Sequence, residues 1–241
     1  MNKEKLLILK NWIEECDNIV FFGGAGVSTE SNIPDFRSTD GLYNQKYDYP
    51  PETILSHSFY MKRTEEFYRF YKDKMIYKNA VPNNAHKILA RLEKAGKLKA
   101  VITQNIDGLH QMAGSRNVLE LHGSVLRNYC EKCRKFYDVD YIINSVGVPV
   151  CQCGGRIKPE VVLYEESLNT EITDKAIYHI QSCEMLIVGG TSLTVYPAAG
   201  FIDYYKGNKL VLINKDSTAV DGRVHLCIHG KIGEVLKEVC Q

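Results

Sequence analysis

No dense run of lysine and arginine occurs in these 241 residues, and 30 Lys+Arg stand against 29 Asp+Glu. That balance argues against a nucleic-acid surface as the main business of the chain. No apolar run is long enough to span a bilayer. The opening MNKEKLLILKNWIEEC interleaves charges with apolar residues at helical spacing, which is not the pattern of a signal peptide. A cytoplasmic chain with no membrane and no nucleic-acid partner is therefore expected. Internal repeats and low-complexity tracts are also missing. Eight cysteines in a reducing compartment stay as thiols, so clustered ones suggest metal and scattered ones suggest packing.

A last absence concerns glycine. Ile19–Phe22 is an uninterrupted apolar run, read as a buried parallel strand, and it enters Gly23-Gly24-Ala25-Gly26. Such glycines permit φ > 0 and close approach of a ligand, and a following helix would aim its N–H groups at a phosphate. The third glycine of the usual dinucleotide fingerprint is not there, because Thr29 takes its place. A ligand-free glycine turn would look the same on this stretch alone. Pro34 makes continued helix improbable beyond it.

The remaining chain alternates strands and helices. Strands are expected at Leu98–Thr103, Val118–Leu121, Met185–Val188 and Leu210–Ile213. Helices are expected from the N-terminus to Cys16, from Asn83 or Asn84 to Gly96, over Thr170–Cys183 and over Lys231–Val239. Residues 38–80 read as a loop followed by a helical insertion. Polar or glycine-rich residues follow most strands: Gln104-Asn105-Ile106-Asp107, His122-Gly123-Ser124, Gly190-Thr191-Ser192 and Asn214-Lys215-Asp216. The rhythm points to an α/β doubly wound parallel sheet, whose ligands gather at the carboxyl ends of the strands.

Residues 127–158 break the rhythm with Cys130-x2-Cys133, 17 further residues, and Cys151-x-Cys153-Gly-Gly. Two close thiol pairs can wrap one tetrahedral zinc, and four sulfurs leave no position for water, so the metal would be structural. No histidine within the insertion competes as a ligand, and no thioredoxin-like context supports a redox pair. Cys16, Cys183, Cys227 and Cys240 stand alone and are expected to pack as small apolar residues.

Taken together, Gly24-Ala25-Gly26-Val27-Ser28, Ile33-Pro34-Asp35-Phe36-Arg37, Thr103-Gln104-Asn105-Ile106-Asp107, Leu121-His122-Gly123, the four cysteines and Gly190-Thr191-Ser192 resemble the sirtuins, the NAD-dependent protein lysine deacylases. Six motifs in the expected order cover the chain from about residue 19 to the last helix. The resemblance implies a single catalytic domain over 1–241. A large Rossmann-like lobe would comprise about 1–37, 81–126 and 159–241. A smaller lobe would comprise the helical insertion at 38–80 and a zinc-ribbon module at 127–158.

The resemblance also implies roles. Gly24, Ala25, Gly26, Ser28, Thr29, Asp35, Phe36 and Arg37 would line the diphosphate and nicotinamide-ribose part of an NAD site. Gln104, Asn105, Ile106 and Asp107 would form the ribose and nicotinamide pocket, with Asn105 against the reacting centre. Gly190, Thr191 and Ser192 would contact phosphate and adenosine ribose. Asn214, Lys215, Asp216 and Ile232 would reach the adenosine. Val161, Tyr164 and Glu165, facing Leu193, Val195 and Tyr196, would clamp an acylated-lysine peptide as an added extended strand. The acyl oxygen would attack C1′ of the nicotinamide ribose, and His122 would serve as general base for a ribose hydroxyl. Products would be nicotinamide, the freed lysine and an acyl-ADP-ribose. Protein mono-ADP-ribosylation, or a non-catalytic NAD- or ADP-ribose-binding module, are the alternatives.

Three departures stand out. Asn32 occupies a usual glycine position, and asparagine tolerates φ > 0. Lys158 opens a segment that usually begins with arginine, and Tyr164-Glu165 ends it in place of Phe-Gly. The Tyr-x-x-Arg pair of sirtuins that prefer acidic acyl groups is matched only by Tyr68 and Tyr71, which favours neutral acyl groups such as acetyl.

Overall fold

The structure is a computed structural model that describes residues 2–35 and 48–240. In chain order, helix α1 (Lys3–Glu15) leads into strand β1 (Ile19–Gly23). Helices α2 (Pro51–Ile54), α3 (His57–Lys62), α4 (Thr64–Lys74) and α5 (Asn84–Lys94) precede β2 (Leu98–Thr103). Then come α6 (Leu109–Met112), β3 (Val118–Glu120), β4 (Gly123–Cys130), β5 (Phe136–Tyr137), α7 (Val139–Asn144) and β6 (Ile157–Val161). The chain closes with α8 (Thr170–Ser182), β7 (Met185–Gly189), β8 (Leu210–Asn214), β9 (Leu226–His229) and α9 (Ile232–Val239).

Local signals explain the helix starts. Asn2 Oδ1 accepts the Glu4 and Lys5 amides at 3.0 and 3.3 Å, which caps α1. Asn83 caps α5 reciprocally with His86, since each side chain takes the other's backbone N–H. Gly96, at φ +78°, ends that segment.

Among the described residues the large sheet is parallel, with strand order β3-β2-β1-β7-β8-β9. The chain winds outward from β1 to β3, returns, and then winds outward from β7 to β9. The switch point lies between β1 and β7, where Gly23 pairs with Gly189 on one side and with Thr103 on the other. Alternate residues face opposite layers. Phe21, Val101 and Ile187 pack under α1, α5 and α9, whereas Phe22, Ile102 and Val188 pack under α8 and the 3₁₀ run Ala198–Tyr204. Both faces are covered, which is why β1 and β7 are buried end to end.

The second sheet, β5-β4-β6, is antiparallel and shares one core with α2–α4, built on Tyr60, Phe67, Tyr68, Tyr71 and Ile157. It extends past the cysteine segment on both sides, from Gly123 to Val161. Two sequence expectations change. No helix follows the glycines: Ala25–Val27 and Thr29–Ser31 are 3₁₀ turns, ended by Asn32 in the left-handed region at φ +61°. The edge strand β9 has no counterpart in the sequence reading.

Candidate active site

Three loops leave the adjoining carboxyl ends of β1, β2 and β7, and a fourth joins β3 to β4. The glycine turn is shaped by contact between loops and not by positive φ. A Cβ on Gly26 would lie 2.8 Å from Gly190 Cα, and one on Gly24 would lie 2.9 Å from Thr191 Cβ. The Gly26 amide donates to the Gly190 carbonyl at 2.7 Å, so the two loops are stitched together. Gly190 itself sits at φ +59°, where a Cβ would collide with the Val27 amide nitrogen.

Within this cradle the polar groups form a connected set. Ser28 Oγ donates to Asp107 Oδ2 at 2.6 Å and accepts from Asn105 Nδ2 at 3.0 Å. Asp107 Oδ1 accepts the Leu109 amide at 2.9 Å. Burial raises the Asp107 carboxyl from its ordinary range, opposed by the Ser28 hydroxyl and the Leu109 amide. Gln104 Nε2 donates to Thr191 Oγ1 at 3.1 Å, tying the β2 loop to the β7 loop.

His122 stands between the sheets, on the short link from β3 to β4. Its Nδ1 lies 3.0 Å from the Gln104 carbonyl oxygen. A carbonyl only accepts, so Nδ1 carries the proton and Nε2 keeps its lone pair. Burial lowers the imidazole's pKa, against the pull of the Gln104 carbonyl. The link is fixed on both sides. The Leu121 amide donates to the Thr103 carbonyl at 2.9 Å, and the Val162 amide to the His122 carbonyl at 2.9 Å. Gly123, at φ +76°, pairs with Val161 so closely that a Cβ would strike the Glu160 carbonyl.

The other expected residues fall around this centre. Ala25, Ile106 and Asp35 are half-buried, and Thr29 is exposed with its hydroxyl on the Gly26 carbonyl at 3.0 Å. Ser192, Lys215 and Asp216 are exposed at strand ends. Asn214 Nδ2 reaches the Thr191 carbonyl at 3.2 Å. Ile232 is buried in the core, with its Cδ1 over Gly189. Phe36 and Arg37 lie outside the described residues. Val161 is buried, while Tyr164, Glu165 and Tyr196 are exposed and Leu193 and Val195 are half-buried. Glu165 takes the Ser58 amide at 2.8 Å, which anchors this segment to α3. Tyr68 and Tyr71 sit in the small core, with Tyr68 Oη donating to the Ile157 carbonyl. The bonds of Ser28 to Asp107 and Asn105 were not readable from sequence, since Ser28 lies 79 and 77 positions away from them.

The four cysteines converge. Cys130 Sγ lies 3.5 Å from Cys153 Sγ, and Cys133 Sγ 3.6 Å from Cys151 Sγ. A tetrahedral zinc keeps its sulfurs roughly 3.8 Å apart, so the cluster fits one structural zinc. The Cys153 amide and Tyr137 Oη pull the Cys151 thiol down to about 6, which favours the thiolate a metal needs.

A doubly wound sheet with polar loops at its switch point, joined to a lobe stapled by four cysteines, defines a cofactor-binding α/β protein with a structural metal. The chain belongs to the Sir2 family, whose sequence model matches residues 24–197. An NAD-dependent protein deacetylase of Clostridium tetani is 62% identical over 232 residues, covering 95% of this chain and 94% of that one. Among solved structures, a Sir2 described with a p53 peptide and NAD+ has a TM-score of 0.85 at 40% identity, covering 99% of this chain and 97% of that chain. Another, described with deacetylated p53 peptide and 3′-O-acetyl-ADP-ribose, has a TM-score of 0.89 at 39% identity, covering 97% and 96%.

Proposed function

We propose that this chain removes acetyl, or another neutral acyl group, from protein lysine side chains at the expense of NAD, with His122 as general base. The observation that carries the reading is the Nδ1 bond to the Gln104 carbonyl, which leaves Nε2 as a proton acceptor beside the loop that follows β2. When bound, NAD supplies a positively charged nicotinamide leaving group and hence an electrophilic ribose C1′.

The chain's own residues hold, orient and move protons. Gly24, Ala25, Gly26, Thr29 and Arg37 line the diphosphate and nicotinamide ribose, Phe36 covers the ribose face against return of nicotinamide, and Gly190, Thr191 and Ser192 contact phosphate and adenosine ribose. Gln104, Ile106 and Asp107 orient the nicotinamide half, and Ser28 keeps Asp107 and Asn105 in one fixed relation. His122 Nε2 takes a proton from a ribose hydroxyl as the acyl group is transferred. Asn214, Lys215, Asp216 and Ile232 serve the adenosine end. The peptide enters as an extended strand between Val161–Glu165 and Leu193–Tyr196. The shared core of α2–α4 and the cysteine sheet supports a smaller lobe within one catalytic domain over 1–241; the cytoplasm is the proposed place of action.

Nicotinamide release from an acetyl-lysine peptide tests this. Release should require both NAD and peptide, and His122→Ala should lower kcat/KM by roughly 10²–10⁴-fold. Transfer of labelled ADP-ribose to protein in excess of deacetylation would replace the reading with ADP-ribosylation.

A further inference from the structure

At the outer edge of the large sheet, β9 carries Cys227 and His229 two residues apart, so the period of a strand sets both on one face. Leu226 and Ile228 turn into the core, which leaves Cys227 half-buried and His229 exposed. The 3₁₀ turn Asp221–Arg223 brings a carboxylate to the same spot. Asp221 Oδ2 lies 3.3 Å from His229 Nε2, and Cys227 Sγ lies 3.7 Å from that same nitrogen. All three donor atoms lie within 4.8 Å of one another.

Nitrogen, oxygen and sulfur ligands of one tetrahedral zinc sit roughly 3.3–3.8 Å apart. Both distances to His229 Nε2 meet that measure, and the Asp221 oxygen and Cys227 sulfur lie within 4.8 Å of each other. An ion pair between Asp221 and His229 explains only half of the arrangement. His229 Nε2 bears either one proton or one lone pair, so it cannot fully serve an oxygen and a sulfur at once. A cation among the three serves all of them. The carboxylate is also held ready, because Asp221 Oδ1 accepts the Thr218 amide and the Thr218 hydroxyl, each at 2.8 Å. Such a partner behind a ligating carboxylate is usual in metal sites.

We infer that Asp221, Cys227 and His229 form a second metal site, separate from the four-cysteine cluster and selective for zinc-like ions. Thiolate and imidazole donors suit zinc and disfavour magnesium or calcium, while the thiolate and carboxylate together neutralise a divalent charge. On binding, the Cys227 S–H bond gives way to an S–metal bond and the proton leaves to solvent. Three protein ligands leave one position for water, so this ion exchanges faster than the enclosed one. The site borders the proposed adenosine end: His229 pairs with Asn214 across β8 and β9, and the Gly230 amide donates to the Asn214 carbonyl at 2.9 Å.

The test titrates Co²⁺ into the zinc-loaded protein, reading cobalt–thiolate absorption, with zinc content measured before and after. One further equivalent should bind, with absorption from a single thiolate and no loss of zinc. Cys227→Ser should abolish that absorption, and His229→Ala and Thr218→Val should each weaken binding by about 10-fold or more. Circular dichroism of each variant confirms that it is folded, and the half-exposed Cys227→Ser serves as the mildest change. Absence of a second equivalent overturns the inference, as does a cobalt–thiolate band that survives in Cys227→Ser or appears only as zinc is displaced.

Discussion

Protonation at single histidines sets two measurable pH dependences. Burial lowers the pKa of His122, so the base stays neutral below the usual histidine range. The acidic limb of kcat/KM should therefore fall at a pH below ~6.5. A pH–rate series on an acetyl-lysine peptide checks it, and a limb centred at or above that value would contradict the buried geometry. The second dependence concerns stability. His86 and His110 pack ring to ring at 4.7 Å, with pKa values pushed down by burial to about 4 and about 3. Among the described residues, neither ring nitrogen of His110 has a hydrogen-bond partner, nor has His86 Nε2. Both folded values lie below the unfolded value near 6.5, so the unfolded chain binds more protons as pH falls. Their contribution is intact above about pH 6.5 and is lost towards the folded values, at on the order of 1 kcal/mol per histidine per pH unit. His110→Leu should halve that slope between pH 6.5 and 5 in urea unfolding. Side-chain identity and motif order made most of the candidate site legible in the sequence. The tautomer of His122 was not legible, since it depends on a carbonyl 18 positions away.

Strand and turn elements divide into those that residue pattern dictates and those that contact dictates. β2 matched its expected bounds because a six-residue segment that starts just after Gly96 and ends in β-branched Val101, Ile102 and Thr103 is short and flanked as a buried strand is. β9 escaped notice because four residues at a sheet edge carry too little alternation to count. The glycine turn was read correctly as a turn and incorrectly as a helix start: Asn32 and Pro34 end the segment after two 3₁₀ turns. Its glycines answer to Gly190, a partner far along the chain. Gly190→Ala should cost about 3 kcal/mol, combining left-handed strain with a backbone collision at Val27. Gly222→Ala, with nothing within 4 Å of the added carbon, should stay within roughly 0.5 kcal/mol in the same thermal melts. The cysteine module offers a further check. Four sulfurs this close repel as thiolates without a cation, so strong chelation should unfold β4–β6 and abolish activity. Fully active protein with substoichiometric zinc would contradict that.

At the scale of the molecule, two sheets meet at His122, and one cluster of charges fastens them beside it. Arg127 on β4 donates from Nη1 to Glu120 on β3 at 2.8 Å and from Nε to Glu160 on β6 at 3.1 Å. Glu120 is only 7% exposed, two residues before His122, and Glu160 adjoins Val161 of the proposed peptide clamp. The guanidinium thus joins β3 of the large sheet to β4 and β6 of the second sheet. Exposed pairs such as Lys175–Glu171 contribute less than about 1 kcal/mol, because water already solvates both charges. Arg127 differs, since removing it strands a buried carboxylate. Arg127→Ala should therefore destabilise the protein by roughly 2–4 kcal/mol, whereas Lys175→Ala should cost under about 0.5 kcal/mol. Catalysis gives the sharper reading. If the cluster holds His122 and the peptide strand in register, the folded variant should lose kcat/KM for the acetylated peptide by about tenfold, while NAD binding changes little. Arg127→Lys keeps the charge but loses the fork that reaches two carboxylates, so it should restore stability more fully than activity. Equal recovery of both would mean that the cluster only supports folding.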